Sequence, residues 1–97
     1  MEFRQIRGCT RPKWQQEAVY LAVTHLTWMP LTVREEAHRL VGQITANPQE
    51  GRALFEILTK DLSVEAAWQK FGVSKQRLYG MRREFYERFL KDTIRLR

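Results

Sequence analysis

The chain has 97 residues, room for one small domain and none for a substrate domain beside a cofactor domain. Apolar residues make up 43% of it, too many for a disordered tail, and 17 Lys and Arg against 11 Asp and Glu give +6, a balance that favours a polyanionic partner. The single cysteine, Cys9, excludes an internal disulfide and a Cys-rich zinc site and points to a reducing cytosol; the longest apolar run, Ala18 to Val23, is too short to cross a bilayer.

In chain order, residues 1–10 read as a basic N-terminal arm, and residues 11–97 as a single helical domain. Arg4, Arg7, Arg11 and Lys13 either enter a minor groove, as homeodomain arms do, or are mobile. A first helix is predicted from Arg11 to Met29, with Thr10 as N-cap and Pro12 in the first turn. Its apolar stripe is Trp14, Ala18, Leu21, Ala22, His25, Leu26 and Met29, and Pro30 ends it. A second helix is predicted to start at a capping box, Thr32 to Glu35, and to bury Val33, Ala37, Leu40, Val41 and Ile44. Asn47-Pro48 opens a third, to about Lys60, whose inner face is Ala53, Leu54, Ile57 and Leu58. No stretch needs a strand, so the expected fold is all-α, a compact bundle of about five helices.

Residues 63–86 carry the functional argument. A short helix, Val64 to Phe71, ends at Gly72; Val73 is an apolar plug, and Ser74 caps a second helix with Leu78, Met81 and Phe85 inward. A turn glycine, an apolar residue after it and another six positions beyond it match helix-turn-helix spacing. The outer face then carries Ser74, Lys75, Gln76, Arg77, Tyr79, Gly80, Arg82 and Arg83. Arg and Lys present donors to guanine, and Gln both donates to and accepts from adenine. Lys75, Gln76, Arg77 and Tyr79 are the candidate base readers. Ser74, Arg82, Arg83 and Lys70 are the candidate phosphate contacts. The charge map agrees: residues 14–73 carry a net −2, while residues 74–97 carry +5. The competing reading is an αα-hairpin with a solvated basic face.

Leu31-Thr32, Glu36-Ala37, Glu50-Gly51-Arg52-Ala53 and, most densely, Ala66 to Phe89 resemble the TrfB/KorA family of plasmid-encoded transcriptional repressors. The resemblance spans about 60 residues of the 97 and rests largely on features shared by any helix-turn-helix. It implies an all-helical domain that binds short palindromic operators and represses promoters, with its operator-reading residues at Ser74, Lys75, Gln76, Arg77 and Tyr79. Two departures stand out. Trp68 occupies the position, four before the glycine, where such motifs keep a small residue, so the helix pair is rotated or Trp68 lies on its edge. The family also carries a dimerisation segment after the motif, whereas this sequence ends eight residues after Phe89, so the dimer surface does not carry over.

Two-fold dimers are expected because one recognition helix reads few base pairs. The favoured contacts are Phe85, Tyr86, Phe89, Leu90 and Ile94 of the last helix; the second candidate is the first helix, through Trp14, Tyr20, Leu21 and Trp28. His25 and His38 have no partner at metal-ligand spacing, and no nucleophile–base pair or phosphate loop is apparent. The expectation is therefore a cytoplasmic, nucleoid-associated DNA-binding repressor, not an enzyme, with no metal, no cofactor and no membrane contact. Its partners are an operator duplex and a second copy of itself. The alternatives are a module like region four of sigma factors, which also contacts RNA polymerase, and a helical protein-interaction module without specific DNA binding.

Overall fold

The computed structural model describes residues 3–91. Five α-helices are present: α1 (Lys13–Thr24), α2 (Leu31–Ile44), α3 (Pro48–Thr59), α4 (Val64–Phe71) and α5 (Lys75–Arg88), with a 3-10 turn, Leu26–Trp28, between the first two. Among the described residues there is no strand, and no helix is long and apolar enough to cross a membrane. Helix α3 is the hub and packs against each of the other four. Its predicted inner face, Ala53, Leu54, Ile57 and Leu58, is buried, as are Ala37, Leu40, Val41 and Ile44 of α2. Each fully buried Leu or Ile among them contributes about 1.5–3 kcal/mol of transfer free energy.

Helix starts follow local chemistry in three places and depart from it in two. Asn47 Oδ1 accepts from the Glu50 N–H (2.9 Å), and Glu50 Oε1 accepts from the Ala46 N–H (2.8 Å), a reciprocal cap with Pro48 at the first helical position. Ser63 and Ser74 cap α4 and α5. The capping box expected at Thr32 does not form: α2 starts two residues earlier, at Leu31 behind Pro30, so Thr32 already lies inside the helix. Nor does Thr10 cap α1, because its N–H and hydroxyl both donate to the Glu87 carboxylate. Helix α1 also stops at Thr24, short of Met29, where the chain tightens into the 3-10 turn.

The inward face of α1 is nearly opposite to the predicted one. Gln16, Val19 and Val23 are buried, while Trp14, Leu21 and His25 are exposed; of the predicted stripe Leu26, beyond the helix, is buried, and Ala22 and Met29 pack against the core. Helix α1 carries apolar residues on every side, so periodicity alone does not choose a face. The arm chooses it. Gln16, fully buried, accepts from the Ile6 N–H through Oε1 (2.8 Å) and donates through Nε2 to the Arg11 carbonyl (2.8 Å). Ile6 enters the core beside it, so residues 3–12 pack on the helical body and do not stand apart from it.

The end of α5 is the second correction. Phe85, Tyr86 and Phe89, expected as dimer contacts, are buried within one chain, and Leu90 packs against the same core. Phe85 and Phe89 stack with centroids 4.7 Å apart, and Phe3 of the arm stacks on Tyr86 at 6.0 Å. Helix α5 ends at Arg88, and Leu90 turns the chain away with φ +51°. Ile94 lies outside the described residues.

Candidate nucleic-acid interface

Helices α4 and α5 are joined by Gly72, Val73 and Ser74. Ser63 Oγ accepts from the Ala66 N–H (3.1 Å) and Ser74 Oγ from the Arg77 N–H (3.2 Å), satisfying a first-turn donor in each helix. Gly72 closes α4 in the left-handed region, φ +72°, and its N–H donates to the Trp68 carbonyl (2.9 Å). Val73 is buried between the helices. Ala67, fully buried, is the small residue on the inner side of α4; Trp68 lies outside, beneath the Lys75 ammonium, whose Nζ is 4.6 Å from the ring centroid. Trp68 therefore does not wedge the pair apart. Inward from α5 come Leu78, Met81 and Phe85, as predicted.

The exposed side chains of α5 fall into two groups. The first is engaged by the protein itself. Arg77 grips Glu50 with two bonds, Nε to Oε2 and Nη2 to Oε1, both 3.0 Å, and also donates to the Ile44 carbonyl (3.2 Å). The Arg77 hydrogen bonds, with the Ala46 N–H, hold the Glu50 carboxyl below its ordinary range, and the guanidinium pKa rises in return. A candidate base reader thus ties α5 to the α2–α3 corner. Lys75 pairs with Glu65 (2.8 Å) and Lys70 with Glu56 (2.9 Å), so both cations have acidic partners on α4 or α3.

The second group faces outward. Gln76, Tyr79 and Arg83 are exposed, and the described residues contain no ion pair to Arg83. Gly80 lies between them with nothing within 4 Å of where a Cβ would stand, so the surface there is open to close approach. Arg82 leans to the other side. Its guanidinium lies 5.4 Å from the Tyr79 ring centroid and lines a cleft of about 460 Å³ with Arg4, Phe3, Tyr20, Asp61 and Tyr86. Within it Arg82 Nε is buried and has no hydrogen-bond partner among the described residues.

The arm runs along the C-terminal half of α5 and adds its own charge to this surface. Gly8 crosses beside Arg83, where a Cβ would lie 3.1 Å from its Cδ, and its φ of +83° is what favours glycine there. Thr10 donates to the Glu87 carboxylate through its N–H (2.5 Å to Oε1) and its hydroxyl (2.7 Å to Oε2). The neighbouring Cys9 thiol and then the Thr10 donors hold the Glu87 carboxyl down at about 2, while burial and the neighbouring Glu87 carboxylate push the Cys9 thiol up. Arg11 is buried and donates through Nη1 to the carbonyls of Tyr86 (3.0 Å) and Phe89 (2.8 Å), closing the exposed end of the α5 ladder. The guanidinium is buried, so its expected minor-groove role has no exposed group to act with. Arg4, Arg7 and Lys13 are exposed.

Sequence reasoning missed Glu50, Gln16 and Gly8. The Asn47-x-x-Glu50 pattern signals a cap but not a bond to a side chain 27 positions away. Gln16 and Gly8 act through the arm, across separations that no local pattern reports. His38 stacks on Phe55 at 4.8 Å, and among the described residues no three His, Cys, Asp or Glu side chains gather as metal ligands would. The chain matches no family model, no curated protein and no solved structure.

Proposed function

We propose that this chain is a sequence-specific DNA-binding repressor of the TrfB/KorA type, in which α4 and α5 form a helix-turn-helix and α5 enters the major groove. The observation that carries the reading is the open outer face of α5 behind a serine cap: Gln76, Tyr79 and Arg83 exposed around an uncrowded Gly80. Gln76 and Tyr79 read base edges, with Lys75 at the margin once it exchanges Glu65 for DNA. Ser74 and the α5 N-terminus meet one phosphate, and Arg83 with the adjoining Arg7 meets others. Arg82 and Arg4, which share a cleft, supply a further cationic clasp at its edge. Arg77 positions α5 through Glu50 and leaves the base-reading set; Lys70, paired with Glu56, contributes little. A two-fold dimer on a palindromic operator overlapping a promoter excludes RNA polymerase by occupancy, and no effector is required.

Selection of bound duplexes from a random pool tests this directly. The expected outcome is a palindrome with half-sites about one helical turn apart, or a multiple of it. Binding to the selected duplex no tighter than to random DNA at about 150 mM salt overturns the proposal. Gln76→Ala should lose ~1–3 kcal/mol of discrimination at one base position. Arg83→Ala should weaken every sequence similarly and lower the salt slope by about one.

A further inference from the structure

We propose that the outer face of α1 and the 3-10 turn after it is a homodimer surface, centred on Leu21, on which a second copy of the chain packs antiparallel. This deepens the dimeric reading above, yet it concerns association of the protein alone and is tested without DNA.

The face is large, apolar and open. Trp14 is 43% exposed, Leu21 56%, Trp28 84% and Leu31 59%, on a molecule whose other large apolar side chains are mostly inside. Trp14, Leu21 and Trp28 stand seven residues apart. An α-helix drifts by about 20° per seven residues, so Trp14 and Leu21 share one side of α1, and Trp28 follows in the 3-10 turn beyond the helix end at Thr24. Together the four side chains expose roughly 500 Å² of apolar surface, at the upper end for a patch on a monomer. Two such faces bury about 1,000 Å², the lower bound for a specific interface.

The spacing identifies the occupant. A two-fold axis through Leu21 in an antiparallel helix pair brings Trp14 against the partner's Trp28 and Leu21 against its own copy. The same operation sets Glu17 against the partner's His25, and Ala18 against the partner's Thr24. Glu17 and His25 are both exposed, so this register sets an acidic side chain beside an imidazole and no acid against another acid. His25 Nδ1 lies 3.0 Å from the Leu21 carbonyl oxygen, which fixes the ring and leaves Nε2 for another group. Ala18 adds no bulk, so two helices can approach closely there. A lipid surface is a poorer match, because helices lying on membranes flank their apolar face with many Lys and Arg, and α1 contains only Lys13.

Sedimentation of the full chain without DNA should show dimers at about 100 µM, and Trp28→Glu should raise the dissociation constant by roughly 100-fold or more. The helical circular dichroism should not change, since Trp28 supports no core contact. In a Cys9→Ser background, Leu21→Cys should oxidise to a covalent dimer, because the axis places that residue against itself. Glu17→Lys combined with His25→Glu should tighten the dimer about tenfold through two symmetry-related ion pairs, and Glu17→Lys combined with His25→Lys should weaken it as much, a contrast that reads the register and not merely the stickiness of the face. A monomeric wild-type chain at that concentration, a dimer that persists with Trp28→Glu, or a dimer that Leu21→Cys leaves uncrosslinked each overturns the proposal. A dimer with no preference for any DNA sequence supports this interface and removes the repressor reading instead.

Discussion

The outer face of α1 and the last two turns of α5 look alike as sequence: each is a helical run rich in aromatic and aliphatic residues, and each is a candidate meeting surface for two copies. In the folded chain they are opposites. Phe85, Tyr86 and Phe89 are sealed inside, whereas Trp14, Leu21 and Trp28 are left in solvent. The arm makes the difference. It lays Phe3 on Tyr86, Thr10 on Glu87 and Arg11 on the terminal carbonyls of α5, and it turns α1 by pulling Gln16 inward. One extended segment therefore closes one apolar surface and, through the rotation it imposes, exposes the other.

Core truncation breaks this comparison most strongly. Phe85→Ala should cost ~3–5 kcal/mol in urea denaturation, the range for an aromatic side chain removed from a packed interior. Trp28→Ala should change the stability of the monomer by no more than about 0.5 kcal/mol. Equal losses at the two sites, at a concentration where the chain is monomeric, contradict the assignment of one region to the core and the other to the surface. Gln16→Leu comes next. It leaves the Ile6 N–H and the Arg11 carbonyl unpaired in a buried place, an expected loss of about 2–4 kcal/mol. It should also release the arm, read as faster alkylation of Cys9 under native conditions. An alkylation rate unchanged from wild type means that Gln16 does not hold the arm.

A smaller effect on α5 separates folding from the proposed recognition. Arg77→Ala should lower stability by ~1–3 kcal/mol and, if the chain binds DNA as proposed, should weaken binding to all sequences alike, because the bonds lost are to Glu50 and Ile44. A double-mutant cycle with Glu50→Gln should show coupling between the two sites. Specificity relaxed at a single base position, with stability intact, would return Arg77 to the base-reading set.

Local signals made the α4–α5 pair legible. Ser63, Gly72 and Ser74 act within three or four residues of themselves, and the helix bounds read from them coincide with those observed. The inner faces of α2 and α3 were equally readable, since each has one apolar stripe and a polar remainder. Helix α1 was not, because apolar residues surround it and the tie that orients it comes from Ile6 and Arg11. The candidate interface was legible as a set of residues but not as a division of labour. Arg77, Lys75 and Lys70 look equivalent to Arg83 until Glu50, Glu65 and Glu56 come to meet them from elsewhere in the chain.

The weakest expected effect concerns how firmly the arm covers α5. The neighbouring Cys9 thiol, and the Thr10 N–H and hydroxyl that donate to its carboxylate, hold Glu87 down at about 2 in the folded chain; its ordinary value is 4.5. A folded pKa below the unfolded one means that the contribution is fully present above pH 4.5 and is lost as the pH falls through about 2. The carboxylate is only partly shielded from solvent, so the loss should loosen the arm without unfolding the helices. The Thr10 amide resonance reports the event at its site: it should titrate with a midpoint near 2, far below an ordinary glutamate. Glu87→Gln should abolish that titration and leave the arm less firmly held at neutral pH, with Cys9 correspondingly easier to alkylate. A Thr10 resonance that moves with a midpoint near 4.5 would place Glu87 in solvent and remove the arm as the cause of the contrast between α1 and α5.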